Sequence, residues 1–199
     1  MDFIEFQSEL NEHLKVGDIS TAISIAENKL NSYDKTDFHK VIGRDLLKLS
    51  SKLIEFIDTF YISAKKEMGE NLKAISCEMN GITINYDLWF INLFGFETVN
   101  ENEEDFEEWL SDYDFYYDKE FIISGFEDLQ DVYKDYVKNE RWDEENLETQ
   151  LDLSEIIMIL RLQELFKETY EKAKNEKYEW SEIPIFINGH DVELYFKTK

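Results

Sequence analysis

The sequence predicts an α+β protein: a helical N-terminal third, then a mixed or antiparallel sheet with packed helices, closed by a C-terminal β-hairpin. Three patterns carry that expectation. Apolar residues recur at helical spacing through the first 66 residues, apolar and polar residues alternate from Lys73 onward, and Asn188-Gly189 joins two alternating runs near the end. Helices, sheet, helices and hairpin follow one another in blocks, which favours α+β over a wound parallel sheet. A chain of 199 residues suits one domain, 1–199, with a helical part at 1–69 and an α+β part at 70–199.

Phe3, Phe6, Leu10 and Leu14 line one helical face, and Val16-Gly17-Asp18 ends that run. Ile19, Ala22, Ile23, Ala26 and Leu30 mark a second amphipathic helix. A longer one is expected after Asp34-Lys35-Thr36-Asp37, carrying Phe38, Ile42, Leu46, Leu49, Leu53, Phe56 and Phe60 to about Lys66. Its spacing also describes a coiled-coil seam, but so few heptads suit packing inside the domain. Gly17-Asp18…Ala22…Ala26…Leu30 resembles one tetratricopeptide-type helical hairpin, with no second copy at that repeat's period, and a solenoid needs several stacked units.

Alternation of Ile75, Cys77 and Met79 against Ala74, Ser76 and Glu78 predicts a strand. Asn80-Gly81 predicts a two-residue hairpin turn, after which Ile82, Ile84 and Tyr86 resume the pattern. Leu88–Phe96 is apolar on both faces, as a strand central in the sheet would be. Asn100-Glu101-Asn102 reads as a loop, Asp105–Leu110 as a helical turn, and Tyr113–Ser124 as holding a strand that ends in Phe121-Ile122-Ile123. Phe126, Leu129, Tyr133, Tyr136 and Val137 share a helix face, and Leu147 to Lys174 is the longest helix of the second half. Ile183–Ile187 and Val192–Phe196 form the closing hairpin, with Pro184 at an edge or a strand start.

Charge is unevenly placed. The chain carries 45 Asp/Glu against 21 Lys/Arg, a net charge of −24. Between Glu97 and Glu155 there are 22 acids and four bases (Lys119, Lys134, Lys138, Arg141), so this segment, 97–155, accounts for −18. Aromatic residues run through it, from Phe106 to Trp142, and an acidic disordered tail lacks such residues. The segment is therefore expected to fold, against the repulsion of its own charges.

Composition excludes several classes. So negative a chain opposes direct contact with nucleic acid or an anionic membrane. One cysteine allows neither a disulfide framework nor a cysteine-built zinc site, and fits a reducing, cytoplasmic setting. Met1-Asp2-Phe3-Ile4-Glu5 has an acid where a signal peptide carries bases. His13, His39 and His190 share no ligand spacing, Cys77 is expected buried mid-strand, and no phosphate-cradling glycine run or Gly-x-Ser-x-Gly elbow occurs. Asp112-x-Asp114-x-x-x-Asp118-x-Glu120 begins like a calcium loop, but Tyr116, Tyr117 and Ile123 stand where an oxygen ligand, a glycine and a bidentate glutamate are needed. No catalytic residue, cofactor or metal is assigned.

The remaining expectation is a non-enzymatic binding module whose acidic, aromatic surface captures a basic protein, either a toxin or a nucleic-acid-binding protein. Trp109, Tyr113, Tyr116 and Tyr117 are the candidate anchors where exposed, since Trp and Tyr dominate interface hot spots. Glu103, Glu104, Asp105, Glu107, Glu108, Asp112, Asp114 and Asp118 are the candidate electrostatic face, which would steer encounter. In size, charge and compartment the chain resembles cytosolic immunity proteins, which neutralise toxins with basic active sites; no motif carries residues over from a named family. A carboxylate-based, metal-assisted enzyme and a helical scaffold using Met1 to Lys66 are the alternatives.

Overall fold

The computed structural model describes residues 1–100, 106–190 and 192–199. Its α-helices are α1 Phe3–Lys15, α2 Ile19–Leu30, α3 Ser50–Met68, α4 Phe106–Ser111, α5 Glu127–Lys138 and α6 Leu147–Glu176. Its strands are β1 Ala74–Met79, β2 Phe90–Phe96, β3 Phe115–Tyr116, β4 Phe121–Ile122, β5 Ile185–Gly189 and β6 Val192–Lys197. They form one mixed sheet in the order β3-β2-β1-β5-β6, with β4 also on β2. Among the described residues only β1 and β5 run parallel. The class is α+β.

Side-chain caps start the first two helices where the sequence places them. The Asp2 carboxylate accepts from the backbone N–H groups of Ile4 and Glu5, and Asp18 accepts from that of Thr21. The Thr21 hydrogen bonds hold the Asp18 carboxyl below its usual range. Gly17, at φ 74°, supplies the left-handed residue that ends α1.

The long third helix is shorter than its periodicity suggests. Asp37–Val41 and Leu47–Leu49 are 3₁₀ turns, and the α-helix begins only at Ser50. Gly43 between them takes φ 70°, and its N–H donates to the Glu27 carboxylate on α2 at 3.0 Å, outside any helical ladder. Leu46, Leu49, Leu53 and Phe60 are buried in the core and Phe56 is half-buried, so no exposed apolar stripe remains there for assembly.

Residues 82–86 form turns, not the expected strand, and Ile84 is exposed. Asn80 explains why. Its side-chain oxygen accepts from Phe90 N–H at 2.8 Å and its amide donates to Leu88 O at 3.0 Å, closing a longer loop between β1 and β2. β1 holds the middle of the sheet and β2, also interior, lies between β1 and the short β3 and β4; of its outward side chains Phe90, Asn92 and Phe94 are half covered and Phe96 is buried. Asn100 precedes the undescribed stretch, in which the expected loop residues Glu101 and Asn102 lie. Pro184 stands just before β5, an interior strand, so its missing N–H falls at a strand start.

The sheet has one dry face. Ile75, Cys77, Met79, Ile91, Leu93, Ile185, Ile187, Leu194 and Phe196 all point inward and are buried. α6 packs on β5 and β6 and also on α2 and α3, so it is apolar on nearly all sides, as a central helix must be. Each Leu or Ile it buries contributes about 1.5–3 kcal/mol. Burial pushes the Cys77 thiol well above its usual range, which leaves it unreactive.

Candidate functional site

Among the described residues, α4 covers one end of the opposite face of the sheet. Ala74, Phe96 and Phe186 form a small apolar patch there, roofed by Phe106, Trp109 and Leu110 of α4. Trp109 lies 4.3 Å from Phe96 and 5.1 Å from Phe186 between ring centroids, and its indole N–H donates to Thr98 Oγ1 at 3.3 Å. Trp109 is thus half-buried and acts as the clasp of α4, which alters the role expected of it as an anchor.

Past the end of α4 the face opens. Asp114 continues the ladder: its N–H donates to Gly95 O at 3.0 Å and its carboxylate accepts from Glu97 N–H at 2.7 Å. This places Tyr113 over Phe94, with centroids 4.9 Å apart. Register then sets Tyr116 directly opposite Phe94, at 5.6 Å. Tyr113 and Tyr116 are 46% and 49% exposed, whereas Tyr117 turns to the other side and is buried on Phe56 and Phe60. Tyr117 is therefore a core residue and no surface anchor, because the strand pleat sends neighbours to opposite faces.

Glu108, Asp112 and Asp118 are exposed, as is Asp114. Among the described residues, Glu108, Asp112, Asp114 and Glu120 have no cationic group within 4.0 Å, and Asp118 has only its neighbour Lys119 at 3.9 Å. Glu103, Glu104 and Asp105 lie outside the described residues, as does the side chain of Glu107. The second half of the acidic segment is different. Arg44 binds Asp128, Lys134 binds Asp87, and Arg141 binds Asp135 and Glu144, depressing both carboxyls. Phe126, Tyr133 and Tyr136 are buried there, and Trp142 is exposed over Tyr136. Among the described residues, Asp131, Glu140, Asp143, Glu145 and Glu148 of this half also have no cationic group within 4.0 Å. The segment thus splits between two sides of the molecule, and part of its uncompensated acid lies with the exposed tyrosines.

Tyr113, but not Tyr116, borders a groove of about 500 Å³ between the end of α4 and the β5–β6 hairpin. Phe94 and Tyr113 line one side and Tyr195 and Glu193 the other, with Glu78 between them. Glu78 Oε1 lies 2.9 Å from His190 Nδ1. None of Glu78, Phe94, His190, Glu193 and Tyr195 was singled out as a binding residue from the sequence. Strand alternation does place Glu78 on the face away from Cys77, but nothing local links it to His190. His39, by contrast, is structural: its Nδ1 accepts from Thr36 N–H, so Nε2 donates to Leu30 O at 3.1 Å.

Among the described residues no three His, Cys, Asp or Glu side chains gather as a metal site, and no helix is long and apolar enough to cross a membrane. No protein-family model, curated protein or solved structure matches the chain.

Proposed function

We propose that this chain is a non-enzymatic, acidic protein-binding module of the immunity-inhibitor kind, acting in a reducing compartment on a basic protein partner. One observation carries the reading: Tyr113 and Tyr116 stand half exposed on Phe94, and among the described residues the acids of the same stretch, Glu108, Asp112, Asp114 and Glu120, have no cationic group within 4.0 Å. Charges left unneutralised cost stability through self-repulsion, and they repay it where an opposite charge arrives. Exposed, rigid rings supply contact area at small entropy cost, while the acids speed encounter.

The test is capture from lysate on the immobilised chain at low and high salt, with bound proteins identified by mass spectrometry. It is repeated with an Asp112→Asn/Asp114→Asn variant and a Tyr113→Ala/Tyr116→Ala variant. A basic protein held at low salt, released at high salt and lost with either variant supports the reading. Binding indifferent to salt and to both variants removes it.

A further inference from the structure

The groove has a narrower chemistry than general attraction to positive charge. Strands neighbour one another at about 4.8 Å, so from Phe94 on β2 to Tyr195 on β6 the floor spans roughly 14 Å. That width and the volume of about 500 Å³ suit one long side chain entering with its flanking backbone. Rings of Phe94, Tyr113 and Tyr195 line it, and carboxylates of Glu78 and Glu193 stand within the same lining. Glu193 is held by its backbone, whose N–H donates to Gln7 and whose C=O accepts from Asn11. Glu78 is oriented by His190.

Rings and carboxylates together select a cation that is planar and weakly hydrated. An ammonium keeps its water tightly and bonds as a point charge, whereas a guanidinium stacks on ring faces and offers a flat fork of N–H donors to carboxylates. We propose that the groove is a receptor for an arginine side chain of the captured protein, with Phe94, Tyr113 and Tyr195 around the guanidinium and Glu78 and Glu193 supplying the opposing charge. This rests on the capture reading above and adds to it the identity of the recognised group. The rim acids Asp112 and Asp114 attract any basic surface, and the groove chooses what is seated.

The test is calorimetric titration of the full chain with hexa-arginine and with hexalysine, with amide chemical shifts mapped in parallel. Hexa-arginine should bind about tenfold more tightly than hexalysine, with shifts centred on Glu78, His190 and Tyr195. Glu78→Gln/Glu193→Gln, and separately Tyr113→Ala, should each cut hexa-arginine affinity about tenfold and shrink the preference over hexalysine. Glu171→Gln/Glu176→Gln, remote on the last turns of α6, should leave the preference in place. Equal affinity for the two peptides, or shifts gathered around Asp112–Asp118 and absent from the groove, overturns the arginine receptor and leaves capture by the acidic rim standing. No binding of hexa-arginine at low salt overturns it too, and the capture reading is then judged separately by the salt-dependent pull-down.

Discussion

Asn11 on α1 stands in for a missing strand along the free edge of β6: its side-chain oxygen accepts from Tyr195 N–H at 3.2 Å, and its amide donates to the carbonyl of Glu193 at 2.7 Å. Gln7, one helical turn earlier, accepts from Glu193 N–H at 2.8 Å. An edge strand presents unpaired backbone groups that invite pairing with another chain, and here two side-chain amides and a helix cover them.

Removing these amides leaves backbone groups unsatisfied under α1. Asn11→Ala should lower stability by about 1–3 kcal/mol, with Gln7→Ala smaller because it frees one group where Asn11 frees two. Urea unfolding of the single and double variants measures it. A double variant as stable as the parent would show that water replaces both amides.

Arg161 on α6 pairs with Glu27 on α2 at 2.8 Å and with Glu164, its side chain 12% exposed. Glu27 also takes the N–H of Gly43, so one carboxylate ties α2, α6 and the break before α3. Arg161→Ala strands that partly buried carboxylate and should cost about 2–4 kcal/mol, whereas Arg161→Met with Glu27→Gln should cost far less. Comparison of denaturation midpoints for the two variants decides the matter.

Gly189 meets α6 at close range: a Cβ there would stand 2.5 Å from Ile159 Cδ1 and 2.8 Å from Cγ1. Gly189→Ala should destabilise by about 1–3 kcal/mol, and adding Ile159→Val should recover part of the loss. Strict additivity of the two changes in thermal unfolding would mean that the contact is not the cause.

Adjacent tyrosines should behave oppositely. Tyr113→Ala and Tyr116→Ala remove half-exposed rings and should cost about 1 kcal/mol or less, while Tyr117→Ala empties core space beside Phe56 and Phe60 and should cost about 3 kcal/mol or more. Chemical denaturation of all three separates surface from core.

Burial and the neighbouring Glu148 push the Asp152 carboxyl up to about 6. Its folded value lies above its ordinary 3.8, so between these values the native state holds the extra proton, and stability from this group falls as pH rises through that window. Above it the ionised Asp152 is a liability, and Asp152→Asn should raise stability at pH 7 by about 1–2 kcal/mol, discounted for partial exposure. At pH 4 the gain should largely vanish. A gain that persists unchanged at pH 4 would assign the effect to something other than charge.

Where structure is made by neighbours in sequence, it is legible there. Phe6, Leu10 and Leu14 bury one face of α1, Ile19, Ala22, Ile23, Ala26 and Leu30 one face of α2, and the apolar run from Leu147 becomes α6. The break before α3 was hidden because Glu27, from another helix, holds Gly43 out of the helical ladder. The loop after β1 was hidden because Asn80 spends its side chain on Leu88 and Phe90 and makes no tight turn with Gly81. The candidate site was half visible: the acids and Tyr113 stand in one stretch of chain, but a two-residue strand has too little period to say that Tyr116 faces out and Tyr117 in.

By itself the sequence determined the strongly periodic elements, α1, α2, α6 and β1, and that acid is concentrated beside aromatic rings, since periodicity and charge are properties of neighbouring residues. The tertiary structure alone decided which rings stay in water and which acids lack a cation. It also set Glu78 beside His190, across 112 residues of chain, because the parallel pairing of β1 with β5 brings their ends together. Such a pairing follows from the cheapest way to bury the inward faces of both strands under α6, and that minimum belongs to the whole chain and to no window of it.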